Sequence, residues 1–147
     1  MLSDIEYLQI NRALFSLVQA FKAKWEENER MRLSAPPLAE QGVLVILGSL
    51  APLNSRQLSR VMNINPATVS QYVQRLVNKG LITKTQDKND RRNWWLNLTE
   101  DGKKIFRETA VLIAAYTHDF LTGLDEADQR TLHRLLLKVS RDHGFNW

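Results

Sequence analysis

The chain has 147 residues, of which 44% are hydrophobic and 24% charged, a composition typical of one globular domain with a sizeable core. The lack of cysteine excludes disulfides, thiolate metal sites and thiol-based redox sensing. No apolar run is long enough to predict a membrane span, and Asp4 and Glu6 interrupt any secretory signal pattern, so we expect a cytoplasmic location.

The net charge of +4 is unevenly distributed along the chain. Residues 54–104 contain ten Lys or Arg against four Asp or Glu, whereas the remaining residues contain ten against twelve. A solvated basic surface is the usual meaning of such clustering. By itself, the cluster therefore favours a nucleic-acid partner only modestly.

Residues 3–30 have the apolar periodicity of one long helix. Most of its apolar residues form a single stripe, but Ile5, Leu8 and Phe15 lie away from it. Because a small domain cannot easily bury two faces of one helix, the pattern predicts contact with a partner chain. The alternative is a helix packed deeply within its own domain. A second, strongly apolar helix is predicted over residues 38–50.

Two shorter helical patterns, over residues 55–62 and 66–78, predict a helix-turn-helix. Asn54 and Gln57 have the spacing of a capping box, and Asn65-Pro66 is a favourable helix start. The outer face of the second helix has no acid. Its amides, hydroxyls and guanidinium are groups that can read base edges in a major groove. This face comprises Ala67, Thr68, Gln71, Gln74 and Arg75, with Ser70 at its edge.

A β-hairpin is predicted next, because Gly80 ends the second helix and two strands, over residues 81–85 and 93–98, flank a polar loop. A basic loop at the tip of such a hairpin can contact phosphates or enter a minor groove. The cations of this loop are Lys88, Arg91 and Arg92.

Alternation along the second strand assigns the inner face to three residues, Trp94, Leu96 and Leu98. Trp95 and Asn97 are then predicted to face outward. A third short strand is predicted at Leu53.

The last third of the chain predicts two more helices. The first spans about residues 99–121, and an acidic start at residues 125–128 introduces the second. Its predicted buried side consists of Leu132, Leu135, Leu136 and Val139. The terminal aromatics Phe145 and Trp147 are expected either to dock on a partner or to fray. The three histidines, His118, His133 and His143, are not spaced as metal ligands or catalytic groups.

Several motifs around the hairpin resemble those of the multiple-antibiotic-resistance regulator (MarR) family. They are Lys79-Gly80-Leu81-Ile82, Asp87, the Asp-x-Arg run Asp90-Arg91-Arg92, and the Leu-Thr-x-x-Gly exit within residues 96–102. Two features depart from the family pattern: Lys84 stands where arginine is common, and the Trp94-Trp95 pair is unusual.

The resemblance implies a mainly α fold with a small β-hairpin wing, namely a winged helix-turn-helix with helical dimerisation arms at both ends. We expect one domain over residues 1–147. Its DNA-binding core spans residues 38–102, with the wing at about 81–98. The arms are residues 3–32 and 103–147. Members of this family are dimeric DNA-binding regulators, usually repressors, and many respond to small ligands.

We therefore predict a homodimeric, sequence-specific regulator and not an enzyme, with no cofactor or metal and with an effector of unknown identity. The 66–78 helix would enter the major groove and the 86–93 wing the minor groove of a pseudo-palindromic site. Asp90 would stabilise the wing. The predicted DNA contacts are Arg56, Ala67, Thr68, Ser70, Gln71, Gln74, Arg75, Lys84, Lys88, Arg91 and Arg92. The alternative is a winged-helix module that docks an acidic protein partner.

Overall fold

The computed structural model describes residues 1–31 and 36–143, which divide into two compact units, Met1–Leu38 and Ala39–Trp147. The predicted mainly helical fold with a two-stranded hairpin is confirmed. Phe145 and Trp147 lie outside the described residues. The elements are α1 (Asp4–Met31), α2 (Leu38–Leu50), α3 (Ser55–Met62), α4 (Pro66–Asn78), β1 (Ile82–Gln86), β2 (Trp94–Leu98), α5 (Glu100–Phe120) and α6 (Glu126–Asp142).

Helix α1 exposes much of its apolar surface. Ile5 is 70% exposed, Phe15 65% and Val18 61%. At its start, the Ser3 backbone N–H and hydroxyl both donate to Glu6 Oε2, at 2.7 and 2.8 Å. The helix therefore has a well-formed first turn, while its apolar residues remain available to another surface.

The core of the second unit is formed by α2, α3, α4 and the hairpin. The inward residues of α4 are Val69, Val73 and Leu76, each at most 1% exposed, as their spacing predicted. Burial of each such aliphatic side chain contributes about 1.5–3 kcal/mol. The other fully buried aliphatic residues of this core are Val43, Leu44, Leu47, Leu58 and Leu96.

Local hydrogen bonds fix the helix-turn-helix. The predicted capping box is confirmed: Gln57 N donates to Asn54 Oδ1 at 2.8 Å, and Asn54 N donates to Gln57 Oε1 at 3.0 Å. Asn63 adopts the left-handed conformation with φ 51°, and the Ser59 hydroxyl donates to the Ile64 carbonyl at 2.6 Å. These bonds close the turn between α3 and α4.

Strands β1 and β2 pair antiparallel, from Ile82 opposite Leu98 to Gln86 opposite Trp94. Leu53 forms a bridge with Leu96, with N–H to O distances of 3.4 and 2.7 Å. The predicted third strand is therefore present as a single bridge.

The Leu-Thr-x-x-Gly exit joins the hairpin to α5. Thr99 caps α5 by accepting from Gly102 N at 3.1 Å, and its hydroxyl donates to the Gly80 carbonyl at 2.6 Å. Thr99 N donates to the Leu81 carbonyl at 3.1 Å. A Cβ on Gly102 would lie 2.1 Å from that carbonyl oxygen, so the position has no room for a side chain.

Two predictions about burial are wrong. Trp94 was expected on the inner face but is 44% exposed, because the hairpin extends beyond the helical core at this register. Leu135, Leu136 and Val139 were expected to be buried but are 46%, 50% and 57% exposed. Helical periodicity identifies an apolar face, but it does not say which chain covers that face.

Within residues 1–31 and 36–143, no helix combines the length and apolarity needed to cross a membrane.

Candidate nucleic-acid interface

The outer face of α4 is polar and accessible. Gln71, Gln74 and Arg75 are exposed, as are Ala67 and Ser70, whereas Thr68 is half-buried. Asn65 Oδ1 accepts from Ala67 N at 2.8 Å, which fixes the first turn of the helix. Gln74 Nε2 donates to Asn78 Oδ1 at 3.0 Å. Both glutamine amides are therefore on the solvent side of a helix whose other side is anchored in the core.

Arg75 is oriented by an acid that the sequence analysis missed. The Glu40 carboxylate, on α2, accepts from Arg75 Nε and from Lys79 Nζ, both at 2.6 Å. Glu40 is 1% exposed, whereas the side chains of Arg75 and Lys79 are half exposed. The Arg75 guanidinium also lies 5.2 Å from the centre of the Tyr72 ring. Arg75 is therefore held on α4 before any ligand is bound.

Opposing effects act on the ionisation of Glu40. Burial raises the pKa of this carboxyl, but the hydrogen bonds and charges of Lys79 and Arg75 outweigh burial and lower the pKa below its ordinary value of 4.5. Glu40 is therefore ionised at neutral pH. No local spacing indicated this pair, since Glu40 and Arg75 are 35 positions apart in the sequence.

The wing loop is organised around Asp87. One carboxylate oxygen accepts from Asn89 N at 2.7 Å and from Asp90 N at 2.9 Å, and the other accepts from Trp95 Nε1 at 2.6 Å. The hydrogen bonds from Asp90 N, Trp95 and Asn89 N lower the pKa of Asp87 below 3.8. An aspartate that bonds to amides two and three residues ahead is a known turn pattern, so this role had a signal in the sequence that was missed.

Asp90 lies one turn further along the loop. Its Oδ1 accepts from Arg92 N at 3.0 Å and faces Arg92 Nε at 3.4 Å. Its backbone carbonyl accepts from Asn93 N at 2.9 Å. The Arg92 side chain is 93% exposed, and Lys84, Lys88 and Arg91 are exposed as well. All four of these wing cations are therefore accessible to a ligand.

Arg56 extends this basic surface onto α3. It is exposed and lines a groove of about 630 Å³ between α3 and the wing, together with Arg92 and Trp94. Among the residues that the structure describes, no group of three or more His, Asp or Glu side chains is placed to hold a metal ion.

We expect Trp95→Phe to loosen the wing loop without unfolding the chain. Phenylalanine retains an aromatic side chain but has no N–H to donate to the Asp87 carboxylate. The pKa of Asp87 should rise towards 3.8, and exchange of the Asn89 and Asp90 amide protons should accelerate. NMR titration and hydrogen exchange measure both quantities. Thr83→Ala, on the neighbouring strand β1, is the matched control. An unchanged Asp87 pKa in Trp95→Phe would show that the indole does not hold the loop.

A helix-turn-helix packed on a third helix and followed by a basic hairpin defines a winged helix-turn-helix protein. Residues 38–94 match the model of the MarR family. The winged helix-turn-helix of this chain is therefore of the MarR type, as its motifs predicted, and this type of domain is that of a DNA-binding transcriptional regulator.

Known relatives are similar along most of the chain. It is 28% identical over 141 residues to the HTH-type transcriptional repressor MdtR of Bacillus subtilis, covering 96% of this chain and 86% of that protein. It spans 60% of the putative transcriptional regulatory protein for the hcr operon of Thauera aromatica, at 26% identity.

Solved structures have the same fold. A MarR family protein from Bacillus stearothermophilus superposes with a TM-score of 0.80 at 18% identity, covering 98% of this chain and 99% of that one. Streptococcus pneumoniae FabT in complex with DNA gives a TM-score of 0.73 at 23% identity, covering 94% and 97%.

Proposed function

We propose that the chain is a homodimeric repressor that binds a pseudo-palindromic operator, with α4 in the major groove and the wing of residues 86–93 in the minor groove. One observation carries this proposal: the exposed face of α4 is polar, and it belongs to the same compact unit as the exposed cations of the wing. A module built to dock an acidic protein would instead expose aliphatic side chains, but Val69, Val73 and Leu76 are buried.

Within this proposal, the contacts divide by chemistry. Gln71 and Gln74 have amides that can bond an adenine edge in bidentate fashion. Ala67, Thr68, Ser70 and Arg75 complete the α4 surface. Arg56, Lys84, Lys88 and Arg91 are assigned to phosphates, and Arg92 is assigned to the minor groove.

Dimerisation through the arms, residues 3–32 and 103–147, is the second part of the proposal. It is supported by the exposed apolar residues of α1 and by the exposed Leu136 and Val139 of α6. Monomeric proteins rarely leave such surfaces in contact with water. MdtR is a repressor, and FabT has been crystallised with DNA, which agrees with the proposed mode of action.

Release by a small effector is the third part. A cavity of about 520 Å³ lies between α2, β2 and α5, lined by Leu47, Gly48, Phe106 and Arg107 among others. The Phe106 ring packs directly on Gly48, so a ligand that displaced this ring would act on the contact between α2 and α5.

The proposal is tested with a fluorescent duplex carrying the DNA that flanks the gene. We expect one dimer per site, affinity that falls steeply with salt, and at least about a thousandfold preference over random DNA. Half-sites should be about 10 bp apart, and inserting about 5 bp between them should remove the preference because the second half-site then faces away. Equal affinity for both DNAs, or no binding at about 50 mM salt, would contradict the proposal.

A further inference from the structure

Trp94 has an unusual environment for a strand residue. It shares its side of β2 with the buried Leu96 and Leu98, yet 44% of its surface is exposed. Its ring lines the groove of about 630 Å³ between α3 and the wing, which we call the α3–wing groove. Exposing a large aromatic surface to water is unfavourable, and here that surface adjoins the proposed DNA-binding side chains.

The chemistry of the α3–wing groove is mixed. Arg56 lines it from α3 and Arg92 lines it from the wing, so cations are supplied by two different elements. Asp90 also lines it, but its Oδ1 already accepts from Arg92 N and faces Arg92 Nε. Trp94 adds an apolar wall. The Arg56 guanidinium and the Trp94 indole, both lining one groove, match a group that is anionic at one end and apolar at the other.

We infer that the α3–wing groove holds a sugar-phosphate segment of the DNA backbone, with the phosphate on Arg56 and the deoxyribose against the Trp94 ring, while Arg92 keeps its assignment to the minor groove. This inference rests on the proposed function, and it adds a neutral contact to the charged ones already assigned. Guanidinium groups bind phosphate by charge-assisted hydrogen bonds, and an aromatic face provides apolar contact area for the sugar.

The inferred contact has a distinctive signature. A neutral indole displaces no counterion from the DNA. Its loss should therefore weaken binding without changing the slope of log K against log salt. Deoxyribose is the same at every position, so the loss should be equal on operator and random DNA. Loss of Arg56 has a different effect, since it should lower the slope of log K against log salt by about 1.

The experiment uses the full chain and two variants, Trp94→Ala for affinity and Trp94→Phe for fluorescence. We expect Trp94→Ala to bind operator and random DNA about tenfold more weakly with an unchanged salt slope. Operator DNA should protect the wild-type chain from acrylamide quenching, and part of that protection should be missing in Trp94→Phe. The matched control is Thr83→Ala, which truncates an exposed side chain on β1 that is assigned neither to DNA nor to the arms, and it should leave the affinity unchanged.

The outcomes separate this inference from the proposed function. If wild-type protein binds its operator but Trp94→Ala binds as tightly, or Trp94→Phe retains full protection, the inference is wrong and the proposed function stands. If inorganic phosphate alone protects Trp94 while operator DNA does not, the groove is an anion site and the inference is again wrong. If wild-type protein does not bind DNA, both fail.

Discussion

Arg92→Ala should lose specific operator binding while the fold and the proposed dimer remain intact. The side chain is 93% exposed, so its removal leaves no cavity. A cation inserted into a narrow minor groove experiences an enhanced negative potential, and its loss should cost about 1–3 kcal/mol in each of the two half-sites of the operator. Fluorescence anisotropy against operator and random duplexes measures the loss, and thermal unfolding verifies the fold.

Arg91→Ala is the matched control, because it removes the same group one position earlier. If Arg91 contacts only phosphate, its loss should weaken binding to operator and random DNA equally. It should also lower the slope of log K against log salt by about 1. Arg92→Lys keeps the charge and tests whether the guanidinium itself is needed. If Arg91→Ala and Arg92→Ala lost equal affinity for both duplexes, the assignment of Arg92 to the minor groove would be wrong.

Glu40→Gln should destabilise the second unit by about 1–3 kcal/mol, because it removes a buried carboxylate from two cations. A fully buried pair would cost about 3–5 kcal/mol to break. The expected loss of stability is smaller here. The Arg75 and Lys79 side chains are half exposed, so water can hydrate them once the carboxylate is gone. Denaturant unfolding at neutral pH measures the difference. Glu100→Gln, which breaks an exposed pair with Lys103, should leave the stability unchanged.

The contribution of the Glu40 carboxylate to folding stability should decrease in acid. Because the pKa of Glu40 is lowered on folding, its stabilisation is present above the ordinary value of 4.5 and is lost as pH falls through the folded value. The difference in stability between wild type and Glu40→Gln should therefore narrow below pH 4.5. A difference that stays constant into acid would mean that the Glu40 charge contributes nothing.

Local patterns predicted most of the helix-turn-helix. Asn54 with Gln57 and Asn65 with Pro66 specify helix starts through bonds within three residues, and a period of 3.6 identified the buried side of α4. These features depend on neighbours in the sequence, so the sequence alone was sufficient.

Other features depend on residues that meet only in the folded chain. Glu40 reaches Arg75 across 35 positions, and nothing in the apolar pattern of α2 marks that acid as a partner. Trp94 was assigned inward because alternation gives a side of the strand but not the extent of the core beneath it. The same limit applies to Leu136 on α6, whose apolar face is exposed in this chain.

Thr99 leaves little freedom between the end of α4 and the start of α5. Its hydroxyl joins the Gly80 carbonyl to Gly102 N, and its own N–H is bonded to the Leu81 carbonyl, against which Gly102 is packed. A hinge motion between α4 and α5 would have to break these bonds, so we expect the two helices to move as one rigid body. In the proposed dimer, a tilt of α5 would then displace the α4 helices of the two protomers along the DNA axis. The separation of the α4 helices would no longer match one turn of the duplex.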